Sequence, residues 1–227
     1  MKNIIVTGNS GKTTFSYFLA EKLSKTHKVI LISTDTEKGM IKCLFPDAQS
    51  TENRSLGNLL ADPIIIEKDV YDNSYLVDDN FLFISYTGDI ELHPNITSIN
   101  CSKLFSRVSQ MADYLIVDTS KHIFDKFMLS SPNKTVISVT TCDLRGYHYR
   151  IKNPISDINV LLQATAYSHS QDVLSTFEKR PFEITYSKQL QSVYTGESIK
   201  NIPISKSYTK TLNKIIELIS AGDEVEL

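Results

Sequence analysis

The chain has 227 residues, 41% apolar and 22% charged, with 24 Lys and Arg against 26 Asp and Glu for a formal net charge of −2. That length and apolar content suit one α/β domain spanning residues 1–227 with a substantial core. The near-neutral balance argues against nucleic-acid binding, and no apolar run reaches the roughly 18 residues of a membrane span, so stable membrane insertion is not expected.

In chain order, Ile4, Ile5 and Val6 read as a buried strand. From Thr13 onward, Phe15, Phe18, Leu19, Lys22 and Leu23 recur at helical spacing and predict an amphipathic helix. Further strands are expected at Lys28–Ser33, Phe81–Ser85, Asp113–Asp118, Thr135–Thr140 and Asn159–Gln163, with a helix from Leu104 to Met111. Continuous apolar strands alternating with helical patterns point to a doubly wound, mostly parallel sheet covered by helices on both faces. The polar stretches Asp47–Arg54 and Asp69–Asn80 read as surface excursions. Near the end, Leu212, Ile215, Ile216 and Ile219 form an apolar helical stripe. Lys206, Lys210 and Lys214 would suit a membrane-surface helix, but the acidic end Gly222–Leu227 would be repelled by anionic lipid, so a helix packed on the sheet is expected.

Cys43, Cys101 and Cys142 are far apart and in no metal-binding spacing, and Ile4–Val6 is too short for the apolar core of a secretory signal. A reducing, cytoplasmic location is expected.

The chemistry concentrates at Gly8-Asn9-Ser10-Gly11-Lys12-Thr13-Thr14, where a strand meets a glycine turn and then a helix. Backbone N–H groups of such a turn, with the positive end of the helix, make a nest for phosphate oxygens. Lys12 would reach the β- and γ-phosphates, and the Thr13 hydroxyl would hold Mg²⁺. The spacing departs from G-x-x-x-x-G-K-[ST], because Val6 stands where the first glycine belongs. Asp118 closes its apolar strand and suits either a Mg²⁺-holding carboxylate or a helix N-cap; the phosphate loop upstream favours the metal. Asp35 follows the second strand, and two readings stand level: a carboxylate that orients or deprotonates an attacking water, or a turn aspartate ahead of Gly39.

These residues together resemble the MinD/ParA group of P-loop ATPases, and within it the atypical pilus-localisation proteins TadZ and CpaE. Thr7–Thr14 lies without a gap on the family loop K-G-G-x-G-K-[ST]-[ST]. Asp35 looks like its switch I aspartate, Asp113–Thr119 like its switch II segment, and Thr140–Gly146 like the strand end that follows. Phe182–Tyr186 and Val193–Ile199 are similar to the late strand and helix near the adenine.

The resemblance implies ATP and Mg²⁺ as cofactors, with Gly8, Asn9, Ser10, Gly11, Lys12, Thr13, Thr14 and Gln163 around the nucleotide. It further implies Thr13, Asp35 and Asp118 at the metal, Lys12 and Asp35 acting in hydrolysis, and an ATP-dependent homodimer with a protein partner from a larger assembly. Three departures stand out. The family's signature lysine, which crosses the dimer to the partner's phosphates, is Thr7 here; Asn9 replaces a glycine; and Gln163 stands for a base-recognising asparagine. Losing a charge that stabilises a transition state removes several kcal/mol of catalysis, so binding with weak or absent hydrolysis is expected. The competing expectations are a small-molecule kinase or ligase drawing on Asp35, Lys38 and Asp143, and a non-hydrolysing pseudo-ATPase scaffold.

Overall fold

Successive residues of strand β1 (Lys2–Gly8) face opposite sides of one sheet: Ile4 and Val6 belong to one apolar cluster and Ile5 to another. Strand β2 (Val29–Ser33) divides the same way, Leu31 to the first cluster and Ile30 and Ile32 to the second. Two-sided burial is why these strands read as unbroken apolar runs rather than alternating ones.

The structure, a computed structural model, describes residues 1–36, 39–48, 54–86, 96–120, 123–163, 170–185, 187, 189–190, 193 and 196–221, the side chains of 163 and 170 excepted. The other strands are β3 (Tyr75–Asp78), β4 (Phe81–Ser85), β5 (Tyr114–Asp118), β6 (Lys134–Thr141), β7 (Ile158–Gln163) and β8 (Phe182–Thr185). The sheet order is β3-β4-β2-β5-β1-β6-β7-β8, parallel throughout except for β3 against β4. The expected doubly wound parallel sheet is therefore present.

The helices are α1 (Lys12–Leu23), α2 (Met40–Leu44), α3 (Leu56–Ala61), α4 (Glu67–Asp72), α5 (Ser98–Met111), α6 (Ile123–Ser130), α7 (Leu144–Lys152), α8 (Ser170–Leu174) and α9 (Lys206–Ala221). One face of the sheet is covered by α1, α2 and α9, the other by α3 to α6. The α9 stripe is buried at Leu212, Ile215 and Ile219, with Ile216 half-buried against the same cluster. Each such side chain contributes about 1.5–3 kcal/mol by leaving water.

Two elements differ from expectation. Helix α1 is not simply amphipathic: Phe15, Ser16, Tyr17, Phe18, Leu19, Ala20 and Leu23 are all buried. It lies under a second layer, with the Phe18 ring 5.7 Å from Tyr208 of α9 and the Tyr17 ring 5.8 Å from Phe45. The stretch Asp69–Asn80 is no polar excursion, because it holds the end of α4 and strand β3, which pairs antiparallel with β4. Four residues closed by a tight Asp79-Asn80 turn are too short to register as a period. Lys38, the Gln163 amide and the acidic end 222–227 lie outside the described residues.

Candidate functional site

The parallel register places Asp118 level with Val6 on one side and Ser33 on the other, so the ends of β1, β2 and β5 converge on one edge. This is the carboxyl edge of the strands, where parallel sheets bind ligands. The loop from β1 to α1 is shaped by its two glycines. A Cβ on Gly8 would lie 2.1 Å from the Val139 carbonyl oxygen of β6, a backbone atom that cannot move aside. Gly11 has φ 74° and ψ 4°, the left-handed conformation, and a Cβ there would press on Leu162. Helix α1 then starts with neither a side-chain cap nor an acid in its first turn. Its leading N–H groups therefore face the cleft as donors for an anion.

Gly11, Lys12, Thr13, Thr14 and Asp35 line one cavity of about 410 Å³. Met40, Lys42, Cys43 and Leu44 of α2 close it on one side, and Val193 and Gly196 complete it. The structure thus brings Gly11–Thr14, Asp35, Val193 and Gly196 to one hollow. Asp118 is joined to it from behind: Thr13 Oγ1 donates to Asp118 Oδ2 at 2.5 Å, and Ser33 Oγ donates to the same oxygen at 3.0 Å. The other oxygen, Oδ1, is buried and has no hydrogen-bond partner among the described residues. Burial lifts the Asp118 carboxyl from its ordinary 3.8 to about 6; Lys12, Thr13 and Ser33 pull it back and the neighbouring Asp125 pushes it further up.

Behind Asp118 stands a second buried carboxylate that the sequence reading did not single out. Asp125 Oδ1 accepts from Thr34 Oγ1 at 2.7 Å, and Oδ2 accepts from the Ser120 amide at 2.9 Å. The Ser120 amide also donates to Thr34 Oγ1 at 3.0 Å, and the Thr34 amide donates to the Asp118 carbonyl at 3.1 Å. The residue before Asp35 and the second residue after Asp118 are thereby clasped by one side chain of α6. Ser33 and Thr34, two hydroxyls closing an apolar strand, are the sequence signal for this clasp. Asp125 alone carries none, since an acid in the first turn of a helix is ordinary.

The other flank of the loop is held differently. Asn9 Nδ2 donates to Thr141 Oγ1 at 2.6 Å, and the Thr141 amide donates to Asn9 Oδ1 at 3.0 Å. Thr141 Oγ1 in turn donates to Asp143 Oδ1 at 2.8 Å, which also accepts the Gly146 amide at 2.9 Å. Partial burial alone would raise the Asp143 carboxyl, but the hydrogen bonds from Gly146 and Thr141 hold it below its ordinary range. Asp143 is the N-cap of α7 and does not line the cavity. Among the described residues the Thr7 side chain makes one long contact, Oγ1 to the Ile137 carbonyl at 3.5 Å.

Compared by sequence, the chain matches no protein-family model and no curated protein. Its fold is that of ParA and MinD ATPases. Superposed on a ParA family ATPase from Chlorobium tepidum TLS, it gives a TM-score of 0.74 at 16% identity over 96% of this chain and 98% of that one. A putative plasmid partition protein from Borrelia burgdorferi B31, bound to AMPPNP, gives 0.66 at 17% identity over 97% and 99%. The septum site-determining protein MinD from Pyrococcus horikoshii OT3, complexed with Mg-ADP, gives 0.67 at 15% identity over 100% and 99%. Likeness at these identities concerns the fold. Among the described residues no helix is long and apolar enough to cross a membrane.

Proposed function

We propose that this chain, acting as one domain, binds ATP with Mg²⁺ in the 410 Å³ cleft and works as a MinD/ParA-like switch that positions or regulates a larger assembly. The observation that carries the reading is Asp118: a buried carboxylate tied through one oxygen to the Thr13 hydroxyl, with its other oxygen unpartnered, beside the uncapped start of α1. An orphaned buried oxygen next to a helix N-terminus fits a cation arriving with a phosphate chain. The fold neighbours solved with AMPPNP and Mg-ADP support the same ligand class.

The roles follow from position. The Gly8–Thr14 amides and Lys12 bind phosphate oxygens; Asn9 and Ser10 set the curvature of the loop between the two glycines. Thr13 Oγ1, with Asp118 and Asp35 behind and beside it, would hold Mg²⁺, which when bound supplies charge neutralisation on the phosphates. Asp35, at the cavity wall, orients a water for attack. Thr7 presents no charge to a partner subunit, so hydrolysis is weak or absent, and the atypical pilus-localisation branch is a closer analogue than an efficient cycling ATPase. The working form is a cytoplasmic homodimer that engages a protein partner in its ATP state, and ATP biases it by contacts to the γ-phosphate that ADP lacks. A kinase or ligase built on Asp35, Lys38 and Asp143 is less favoured, because Asp143 is committed to capping α7.

The test is a titration of purified protein with ATP, ADP and AMPPNP, with Mg²⁺ or with EDTA, followed by mass measurement in solution. Micromolar ATP binding that needs Mg²⁺ and is lost in Lys12→Ala is expected, with a doubling of mass in AMPPNP. No binding of any nucleotide at millimolar concentration would refute the reading.

A further inference from the structure

We infer that Lys42 is a second cationic contact for the anion held in the cleft, acting beside Lys12. The inference rests on the nucleotide reading and adds a residue that the phosphate-loop pattern does not contain.

Helix α2 is fixed on its inner side. Met40, Ile41 and Leu44 are buried, and the Ile41 amide donates to Ser85 Oγ of β4 at 3.2 Å. Phe45, which follows directly, is stacked on Tyr75 with ring centroids 4.3 Å apart. The outer side carries Lys42 and Cys43, both exposed, and both line the cavity that Lys12, Thr13 and Thr14 line. The backbone beneath Lys42 is therefore anchored while its side chain is not.

Some lysines of this chain spend their ammonium on a backbone carbonyl, whereas others, Lys12 and Lys22 among them, carry no hydrogen bond among the described residues. Lys103, Lys134 and Lys200 donate to the backbone carbonyls of Pro63, Ser131 and Val77 at 2.8, 2.9 and 2.9 Å. Lys42 has neither a hydrogen bond nor an ion pair among the described residues.

Charge points to the same ligand. Of the described residues that line the cavity, Lys12, Lys42 and Asp35 are charged. Without Lys42 these residues carry one cation against one carboxylate, with the Asp118 carboxyl behind them, while the ligand is a polyanion. With it, they carry two cations to one carboxylate, and the added positive charge raises the local concentration and affinity of anions. A lysine suits this task because its ammonium is a point charge on a flexible four-carbon stem that can follow a phosphate chain.

Lys42→Ala and Lys42→Arg are titrated with ATP and with tripolyphosphate, a base-free probe, in Mg²⁺ at low and high salt. Lys12→Ala serves as the reference for loss of the loop itself. Lys42→Ala is expected to melt like wild type and to bind both probes about tenfold more weakly at low salt, with a shallower salt dependence. Lys42→Arg is expected to recover most of the loss. Unchanged affinity in Lys42→Ala, with wild type binding ATP, overturns the inference and leaves the nucleotide reading standing. A deficit for ATP without one for tripolyphosphate also overturns it, since Lys42 would then touch the nucleoside half. If wild type binds neither probe, both readings fall together.

Discussion

The end of β5 and the first turn of α6 each bury an aspartate to the same 2% exposure, yet the two are built differently. Asp125 in α6 has both oxygens bonded, to the Thr34 hydroxyl and the Ser120 amide. Asp118 at the strand end has two hydroxyl donors crowded onto Oδ2 and none on Oδ1. A fully bonded buried carboxylate works for the fold, because it offsets its own desolvation. A half-bonded one is a standing cost that a ligand can relieve. The difference separates the residue that holds the turns together from the residue proposed to take a cation, a distinction that burial alone does not make.

The largest effect that would break this contrast is Asp125→Ala. It removes the acceptor shared by the Thr34 hydroxyl and the Ser120 amide, leaving them the bond to each other and the longer one from Thr34 to the Asp118 carbonyl, and should lower unfolding free energy by about 2–4 kcal/mol in urea melts of nucleotide-free protein. A change below about 1 kcal/mol would make Asp125 a bystander.

Asp118 should behave in the opposite sense. Its carboxyl rises from 3.8 to about 6 on folding, so the protonated form is the one the fold favours. Its contribution is fully present below pH 3.8 and is lost as pH rises through about 6, by about 3 kcal/mol in all. Subtracting the stability–pH profile of Asp118→Asn from that of wild type isolates this slope. A flat difference between pH 4 and 7 would refute it. Above pH 6 the Asn variant should be the more stable protein without nucleotide, and the worse binder of Mg²⁺-nucleotide.

Two smaller changes sharpen the comparison on the other side of the loop. Gly11→Ala forces a left-handed φ of 74° on a residue with a Cβ and crowds Leu162. It should lose about 1–2 kcal/mol and weaken nucleotide binding more than it weakens the fold, read by melting and titration together. Asn9→Ala removes the paired bonds to Thr141, a neutral and half-exposed latch, and should cost about 1 kcal/mol with little pH dependence. A pH-dependent loss there would mean that the Asp143 cap, one bond further along, carries the effect.

The glycine loop proposed to bind phosphate was legible because its chemistry is local. Gly8, Gly11, Lys12 and Thr13 are neighbours in sequence, and the strand and helix on either side announce themselves by burial period. Asp118 was legible for a related reason, since it ends an apolar run. The clasp around it was not: Ser33, Thr34, Ser120 and Asp125 meet only because β2 and β5 are adjacent in the sheet. Sheet order is set by long-range pairing that no window of residues contains. Strand β3 escaped for want of length, and Lys42 because a lysine on a short helix looks like any other surface charge until the cavity beside it is known.

By itself, then, the sequence determined the alternation of strands and helices and the glycine turn between β1 and α1, since both follow from side-chain size, backbone freedom and spacing along the chain. Only the tertiary structure decided which carboxylate is satisfied and which is left open, which helix walls the cleft, and where Asn9 anchors. Those outcomes depend on which strands lie side by side, a choice made by the whole core at once rather than by any residue's own preference.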